Sequence, residues 1–324
     1  MPAIPTSTQP IPTRLIDNGG RIFAEWADIA DTDPTLPFLH DRIACSDTYW
    51  QEELPEASEA AQPSALILHA GRCGSTLVSR SLSLISRCHV LSEPQALNDI
   101  LSVDGVWPFL PRSEKIAALR RVAQALIQSA RPKQDRVIMK LSSWNALHLS
   151  LLEEAFPDVP KLFIYRPPEE ILVSLRDSPS GWMRRADAAV PAKLFLGGTT
   201  EPAVNNPLAF ASQVLGRVFA TIADALASPG QAGKWLIVSY NNLPGAMGET
   251  IIPWLGLQPS EIEMEWIAQA AEIHAKSVNR TRRFVPDGAR KQAAITPELG
   301  ELSARYTYDA YHRLERLRAA EKVQ

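Results

Sequence analysis

Apolar residues fall into two rhythms along this chain. Short unbroken runs occur at Ala65-Leu66-Ile67-Leu68, Cys88–Ser92, Val137-Ile138-Met139, Leu162-Phe163-Ile164-Tyr165 and Trp235–Ser239. Their length and composition are those of strands buried on both faces. Between these runs the apolar positions recur three and four residues apart. Leu77, Leu82 and Ile85 follow the first run. Ile116, Leu119, Ala123, Leu126 and Ile127 line one face of a helix expected over Ser113–Ala130, with Pro132 just beyond its end. Further helices are expected over Trp144–Phe156, Pro167–Arg176 and Pro207–Ala227, and the chain beyond about residue 247 reads as mostly helical. Strands that alternate with helices in this way build a parallel sheet with right-handed crossovers, an α/β layer architecture.

The pattern is different before the first run. Residues 1–13 are rich in Pro, Thr and Ser and are expected to be disordered or to form an arm. Residues 14–50 hold Phe23, Trp26, Leu36, Phe38, Leu39 and Trp50, enough apolar mass to pack on something, and 51–63 reads as a connector. The expected organisation is therefore an arm and packing segment over 1–63 and an α/β domain over 64–324. A hydrophobic content of 45% and a charged content of 21% fit a globular protein, and a net charge of −3 gives no reason to expect nucleic-acid binding. Cys45, Cys73 and Cys88, an odd number without a spacing pattern, exclude a disulfide framework or zinc site as the organising feature. With no signal-peptide core and no 18-residue apolar run, a cytoplasmic protein without a membrane span is expected.

Chemistry concentrates at the ends of the strands. After the first run, Gly71-Arg72-Cys73-Gly74 leads into Ser75-Thr76-Leu77 at the start of a helix. Glycines allow close backbone approach, the helix N-terminus presents unpaired N–H groups, and Arg72, Ser75 and Thr76 add donors, which together make an anion cradle. A nucleotide-kinase loop would place Lys directly before the hydroxyl residue, where Gly74 stands. Ligands of such sheets bind at the carboxyl ends of the strands. The polar residues there are Arg72, Glu93, Lys140, Arg166 and Tyr240.

On these residues the chain resembles the sulfotransferases that use 3′-phosphoadenosine 5′-phosphosulfate (PAPS), in particular the bacterial and tyrosylprotein-type members. Arg72-Cys73-Gly74-Ser75-Thr76-Leu77 matches the family's 5′-phosphosulfate loop. Arg166, at a strand end, and Ser174, eight positions on, match its 3′-phosphate motif. Glu93, 21 residues beyond Arg72, and Lys140 match further positions of those members. The resemblance implies a P-loop-type parallel sheet flanked by helices, a single sulfotransferase domain with a helical C-terminal part. It implies transfer of the sulfuryl group from PAPS to a hydroxyl or amine of a small-molecule or peptide acceptor, with adenosine 3′,5′-bisphosphate (PAP) as product and no metal. Glu93 would be the general base, Arg72 and Lys140 would neutralise the leaving oxygen, and the loop with Arg166, Ser174, Tyr240 and Lys291 would hold the nucleotide.

Alternatives stand beside each of these roles. Glu93 also suits a cap on a helix starting at Pro94 and Arg166 an ion pair with Glu169 or Glu170, while Tyr240 equally suits a packed aromatic. His89 and His148 are rival bases, and Cys73 reads as a small buried filler. Lys276, Arg280, Arg282, Arg283, Arg290 and Lys291 form a basic cluster from which the C-terminal phosphate contact would come. Ser178–Asn206, long and without periodicity, is expected to form the acceptor pocket together with 14–50. The rival functions are an ATP-using kinase or hydrolase and a catalytically idle nucleotide-binding protein of the same fold.

Overall fold

The structure is a computed structural model and describes residues 9–18, 21–57, 62–102, 110–187, 192–193, 195–196, 205–231, 233–273, 283, 285 and 287–321. Pro10–Asn18 (β1), Arg21–Asp28 (β2) and Tyr49–Glu53 (β3) form an antiparallel sheet, with Leu39–Ile43 (α1) between the last two. Ala65–His69 (β4), Cys88–Ser92 (β5), Arg136–Lys140 (β6), Lys161–Tyr165 (β7) and Trp235–Ser239 (β8) form a second sheet in the order β5-β6-β4-β7-β8, parallel throughout. Its helices are Ser75–Leu82 (α2), Gln95–Leu101 (α3), Arg112–Gln128 (α4), Leu149–Ala155 (α5), Pro168–Asp177 (α6) and Pro207–Ala227 (α7). Glu261–Ala271 (α8), Gly288–Ala293 (α9), Pro297–Tyr306 (α10) and Tyr308–Glu321 (α11) complete the helical C-terminal part.

Every residue of β4, β5 and β7 is buried, which is why these strands read as continuous apolar runs. Side chains still alternate between the faces. Leu66 and Leu68 join a core with Leu119, Val122 and Phe163, whereas Ala65 and Ile67 join one with Val78, Leu82 and Ile251. The first chain segments run β4 outward to β5 and back to β6, and then cross to β7 and β8. The direction thus reverses beside β4, and loops leaving β4 and β7 diverge to open a crevice at their carboxyl ends.

Two expectations are corrected. Segment 10–53 is a three-stranded sheet that packs on the domain, and its strands begin inside the stretch 1–13 expected to be disordered or an arm: Ile11, Pro12 and Thr13 of β1 are buried. Ile11, Leu15 and Trp26 share a core with Leu97, Ile100 and Val122, so the segment folds on α3 and α4 rather than by itself. The helix expected over 144–156 is a 3-10 turn, Ser143–His148, followed by α5. Asn145 accepts from the Ser142 backbone N–H at 2.7 Å and its amide donates to Asn98 of α3 at 3.1 Å, a tertiary contact that tightens the turn.

Helix α7 is by length and composition capable of crossing a membrane, with mean hydropathy 1.2, yet 67% of that stretch is buried inside the fold. Its Gly216 lies against α10: a Cβ there would stand 1.9 Å from the Tyr306 carbonyl oxygen, so only glycine allows this approach.

Two histidines are buried in this framework. The His89 Nε2 lies 2.8 Å from the Ser129 hydroxyl, and burial, aided by Arg42 and Arg131, pushes its pKa down to about 3. Burial and then Lys115 push His148 down to about 4. Both are neutral when folded, whereas an unfolded histidine takes up a proton below about 6.5. Stability contributed by these neutral rings is complete above that value. It is lost as pH falls towards 4 and 3, by up to about 1.4 kcal/mol per pH unit for each ring. Urea midpoints between pH 7 and 5 should therefore fall with acidification, and less steeply in His89→Asn than in the parent. Equal slopes would place the acid sensitivity elsewhere.

Candidate active site

Beyond β4 the backbone turns through Gly71 (φ 78°), Arg72 (φ 53°) and Gly74 (φ 83°) before α2 begins. A left-handed arginine is strained, and such strain persists where the surroundings impose it. His69 supplies part of that imposition. The Gly71 N–H donates to His69 Nδ1 at 3.1 Å, so Nε2 carries the ring proton and donates to the Leu141 carbonyl at 2.9 Å. Gly74 is the N-cap of α2 and offers no side chain, which leaves first-turn N–H groups directed at the cavity.

The loop's side chains divide between cavity and core. Ser75, Thr76 and Leu77 are buried at the start of α2 and line the cavity. The Cys73 thiol donates to the Ile164 carbonyl at 3.1 Å, and burial pushes its pKa up to about 11, so it is a packed thiol and not a nucleophile. Arg72 donates to the Ser178 hydroxyl at 2.9 Å, and its Nε is buried without a partner. Burial lowers its pKa, and no carboxylate among the described residues pairs with it. It is a partly desolvated cation in want of an anion.

Strand register brings the next pair together: Ser92 of β5 lies beside Lys140 of β6. Glu93 adopts φ 58°, its N–H donates to the Lys140 carbonyl at 2.6 Å, and its carboxylate accepts from the Lys140 ammonium. Helix α3 starts at Gln95 with Pro94 as its N-cap, so Glu93 stands outside the helix and its carboxylate faces the cavity instead. Lys140 is fully buried, 5.2 Å from the Phe38 ring, and sits beneath Glu93 rather than on the cavity wall.

A second cationic centre stands at the end of β7. The Arg166 guanidinium, 1% exposed, donates through Nε to Glu170 and through a terminal nitrogen to Asp287 at 2.8 Å, with the Tyr240 ring centroid 3.9 Å away. The Tyr240 hydroxyl donates to the same Asp287 oxygen at 3.2 Å. Burial first, and then Asp287, push its pKa to about 12, so it remains a donor. The Lys291 ammonium lies 3.0 Å from the other Asp287 oxygen. Ser174 lines the same cavity, as do Arg283 and Arg290; Lys276, Arg280 and Arg282 fall outside the described residues.

Both centres open into one cavity of about 770 Å³, within the usual range for a bound small molecule. Phe38, Trp144 and Trp182 add aromatic side chains to its lining. From segments 14–50 and 178–206, Phe38, Ser180, Gly181 and Trp182 line the cavity, while 188–191, 194 and 197–204 lie outside the described residues. His89 and His148 do not line the cavity. Sequence reasoning missed His69 and Asp287. A polar residue closing an apolar strand signalled the first, and a lone acid within a basic cluster the second.

No family model matches the chain, and no match to a curated protein was found. Among solved structures, the chain is similar to sulfotransferase STF9 from Mycobacterium avium, with 14% identity over 76% of either chain and a TM-score of 0.48. It is similar to a sulfotransferase from Alicyclobacillus acidocaldarius at 16% identity over 81% of this chain and 100% of that one, with a TM-score of 0.47. It is also similar to mouse sulfotransferase SULT7A1 complexed with PAP, at 14% identity over 94% and 99% of the two chains, with a TM-score of 0.41.

The glycine loop is directly testable. A Cβ at Gly74 would stand 2.8 Å from Leu243 Cδ1 and 3.2 Å from a Tyr240 ring carbon, at a φ that L-residues resist. Gly74→Ala should lower stability by about 1–2 kcal/mol. Calorimetry should show pyrophosphate binding weakened about tenfold or more, the loss expected when a cradle moves by even part of an ångström. Unchanged pyrophosphate binding would remove the loop from the anion site.

Proposed function

We propose that the protein is a sulfotransferase that moves a sulfuryl group from PAPS to a hydroxyl carried on an apolar or aromatic acceptor. The reading rests on one observation: two cationic centres at the carboxyl ends of adjacent strands share a cavity with a carboxylate, Glu93, held on the wall between strands. PAPS has a phosphosulfate at one end and a 3′-phosphate at the other, and so needs two such centres on one sheet edge. The unpartnered Nε of Arg72 and the uncapped start of α2 suit the phosphosulfate. The donors around Arg166, Tyr240 and Lys291, with the Ser174 hydroxyl, suit the 3′-phosphate.

The chemistry follows from these placements. The acceptor oxygen bonds to sulfur as the bond from sulfur to the bridging phosphate oxygen breaks, releasing PAP. Such displacements pass through a loose transition state in which alignment and charge stabilisation dominate. Arg72 and the α2 N–H groups meet charge growing on the bridging oxygen. Glu93 takes the acceptor's proton. Lys140 serves by holding that carboxylate in place, a role for its ammonium that differs from direct contact with the leaving oxygen. Phe38, Trp144 and Trp182 provide the surface on which the acceptor's apolar body rests.

The first test is transfer of sulfate from PAPS to a panel of phenols, alcohols and sugars. Glu93→Gln should then lower kcat by roughly a hundredfold to ten-thousandfold while PAP affinity hardly changes; the melting temperature should fall, because the buried Lys140 ammonium loses its carboxylate partner. Near-normal kcat would end its assignment as base. Arg166→Lys retains the charge opposite Glu170 but loses the two-pronged donor. It should weaken PAP binding about tenfold or more and leave adenosine 5′-phosphosulfate binding nearly unaffected. Equal losses for both ligands would move the 3′-phosphate away from Arg166.

A further inference from the structure

The acid at the heart of the second cationic centre has no place in the reaction proposed above. Asp287 Oδ1 accepts from Arg166 at 2.8 Å and from the Tyr240 hydroxyl at 3.2 Å. Its Oδ2 lies 3.0 Å from the Lys291 ammonium and 3.9 Å from Arg290. Donors from three separate parts of the chain thus converge on two oxygens, as they would on a bound phosphate. We infer that Asp287 is an internal ligand: its carboxylate occupies the place of the donor's 3′-phosphate, is exchanged for it on binding, and returns to speed release of the product PAP. This rests on reading the Arg166 centre as the 3′-phosphate site.

Charge and mobility both favour exchange over coexistence. Among the described residues, the ion pairs of the centre join Arg166, Arg290 and Lys291, three positive charges, to Glu170 and Asp287, two negative ones. A phosphate dianion entering that set would be only half neutralised. With Asp287 turned out it meets a net charge of +2, which it balances. Glu170 is not the group that leaves, because its side chain is 5% exposed and its second oxygen accepts from Gln292 at 2.7 Å. Asp287 is 27% exposed, and although it stands at the N-cap of α9 its side chain makes no capping bond, so turning it outward leaves the helix intact. Its own pKa reflects the fit: burial alone would raise it, but Lys291 and Arg166 more than offset that and hold it below the ordinary carboxylate range.

The test measures affinity and dissociation rate of PAP and of 5′-AMP for the parent, Asp287→Asn and Asp287→Ser, with melting temperatures alongside. Removing the competing charge should tighten PAP binding about tenfold and slow its dissociation to match, while 5′-AMP, which does not reach the centre, binds as before. A merely structural acid would instead loosen PAP, and that result or an unchanged affinity overturns the exchange. If the parent itself binds 5′-AMP as tightly as PAP, the Arg166 centre is not the 3′-phosphate site and the exchange falls with that reading. Parent preference for PAP with no gain in either variant rejects the exchange alone.

Discussion

The arrangement depends on positive charge being taken out of water at the carboxyl edge of a parallel sheet. Arg166 is 1% exposed and Lys140 wholly buried, and neither is tolerable there without close anionic or aromatic partners. Each has them. Glu170 and Asp287 flank Arg166 with Tyr240 across its face, and Glu93 sits on Lys140 with Phe38 nearby. Meeting that requirement draws in the loop after β8, the C-terminal segment at α9 and the turn before α1. These parts are far apart in the chain and together enclose the cavity.

Arg72 differs from these two cations. Its charge is partly desolvated, yet its hydrogen bonds go to Ser178 and not to a carboxylate. The left-handed backbone that holds it is maintained by His69 on one side and by the close approach of Tyr240 and Leu243 to Gly74 on the other. On the proposed reading, an incoming anion completes a site whose geometry already exists, and little reorganisation is required when charge develops.

The interior of the sheet was legible from local pattern because burial on both faces leaves no choice of residue type. Runs such as Leu162–Tyr165 can satisfy that environment only as strands, and Trp235–Ser239 and Pro207–Ala227 have the bounds their patterns predict. The glycine loop was legible for a related reason: positive φ at positions 71 and 74 demands glycine, and a helix starting at Ser75 follows. The antiparallel sheet over 10–53 was not. Its strands owe their inward faces to Leu97, Ile100 and Val122, residues 71 to 111 positions away from Ile11, Leu15 and Trp26, and no local periodicity records that. The turn over 143–148 combines a local capping bond between Ser142 and Asn145 with a tertiary one to Asn98, and the second leaves no local pattern.

At the active site the division falls between the residues and their partners. Sequence alone determined that Arg72, Glu93, Lys140, Arg166 and Tyr240 would meet, because strand ends of a parallel sheet share one edge whatever their spacing along the chain. It could not determine which charges they would face. That Glu93 rests on Lys140, that His69 pins the loop, and that Asp287 rather than Arg290 sits against Arg166 are consequences of crossover connections and of where the C-terminal segment returns. Electrostatic pairing depends on distances of a few ångströms between residues up to 121 positions apart. Only the tertiary structure sets those distances.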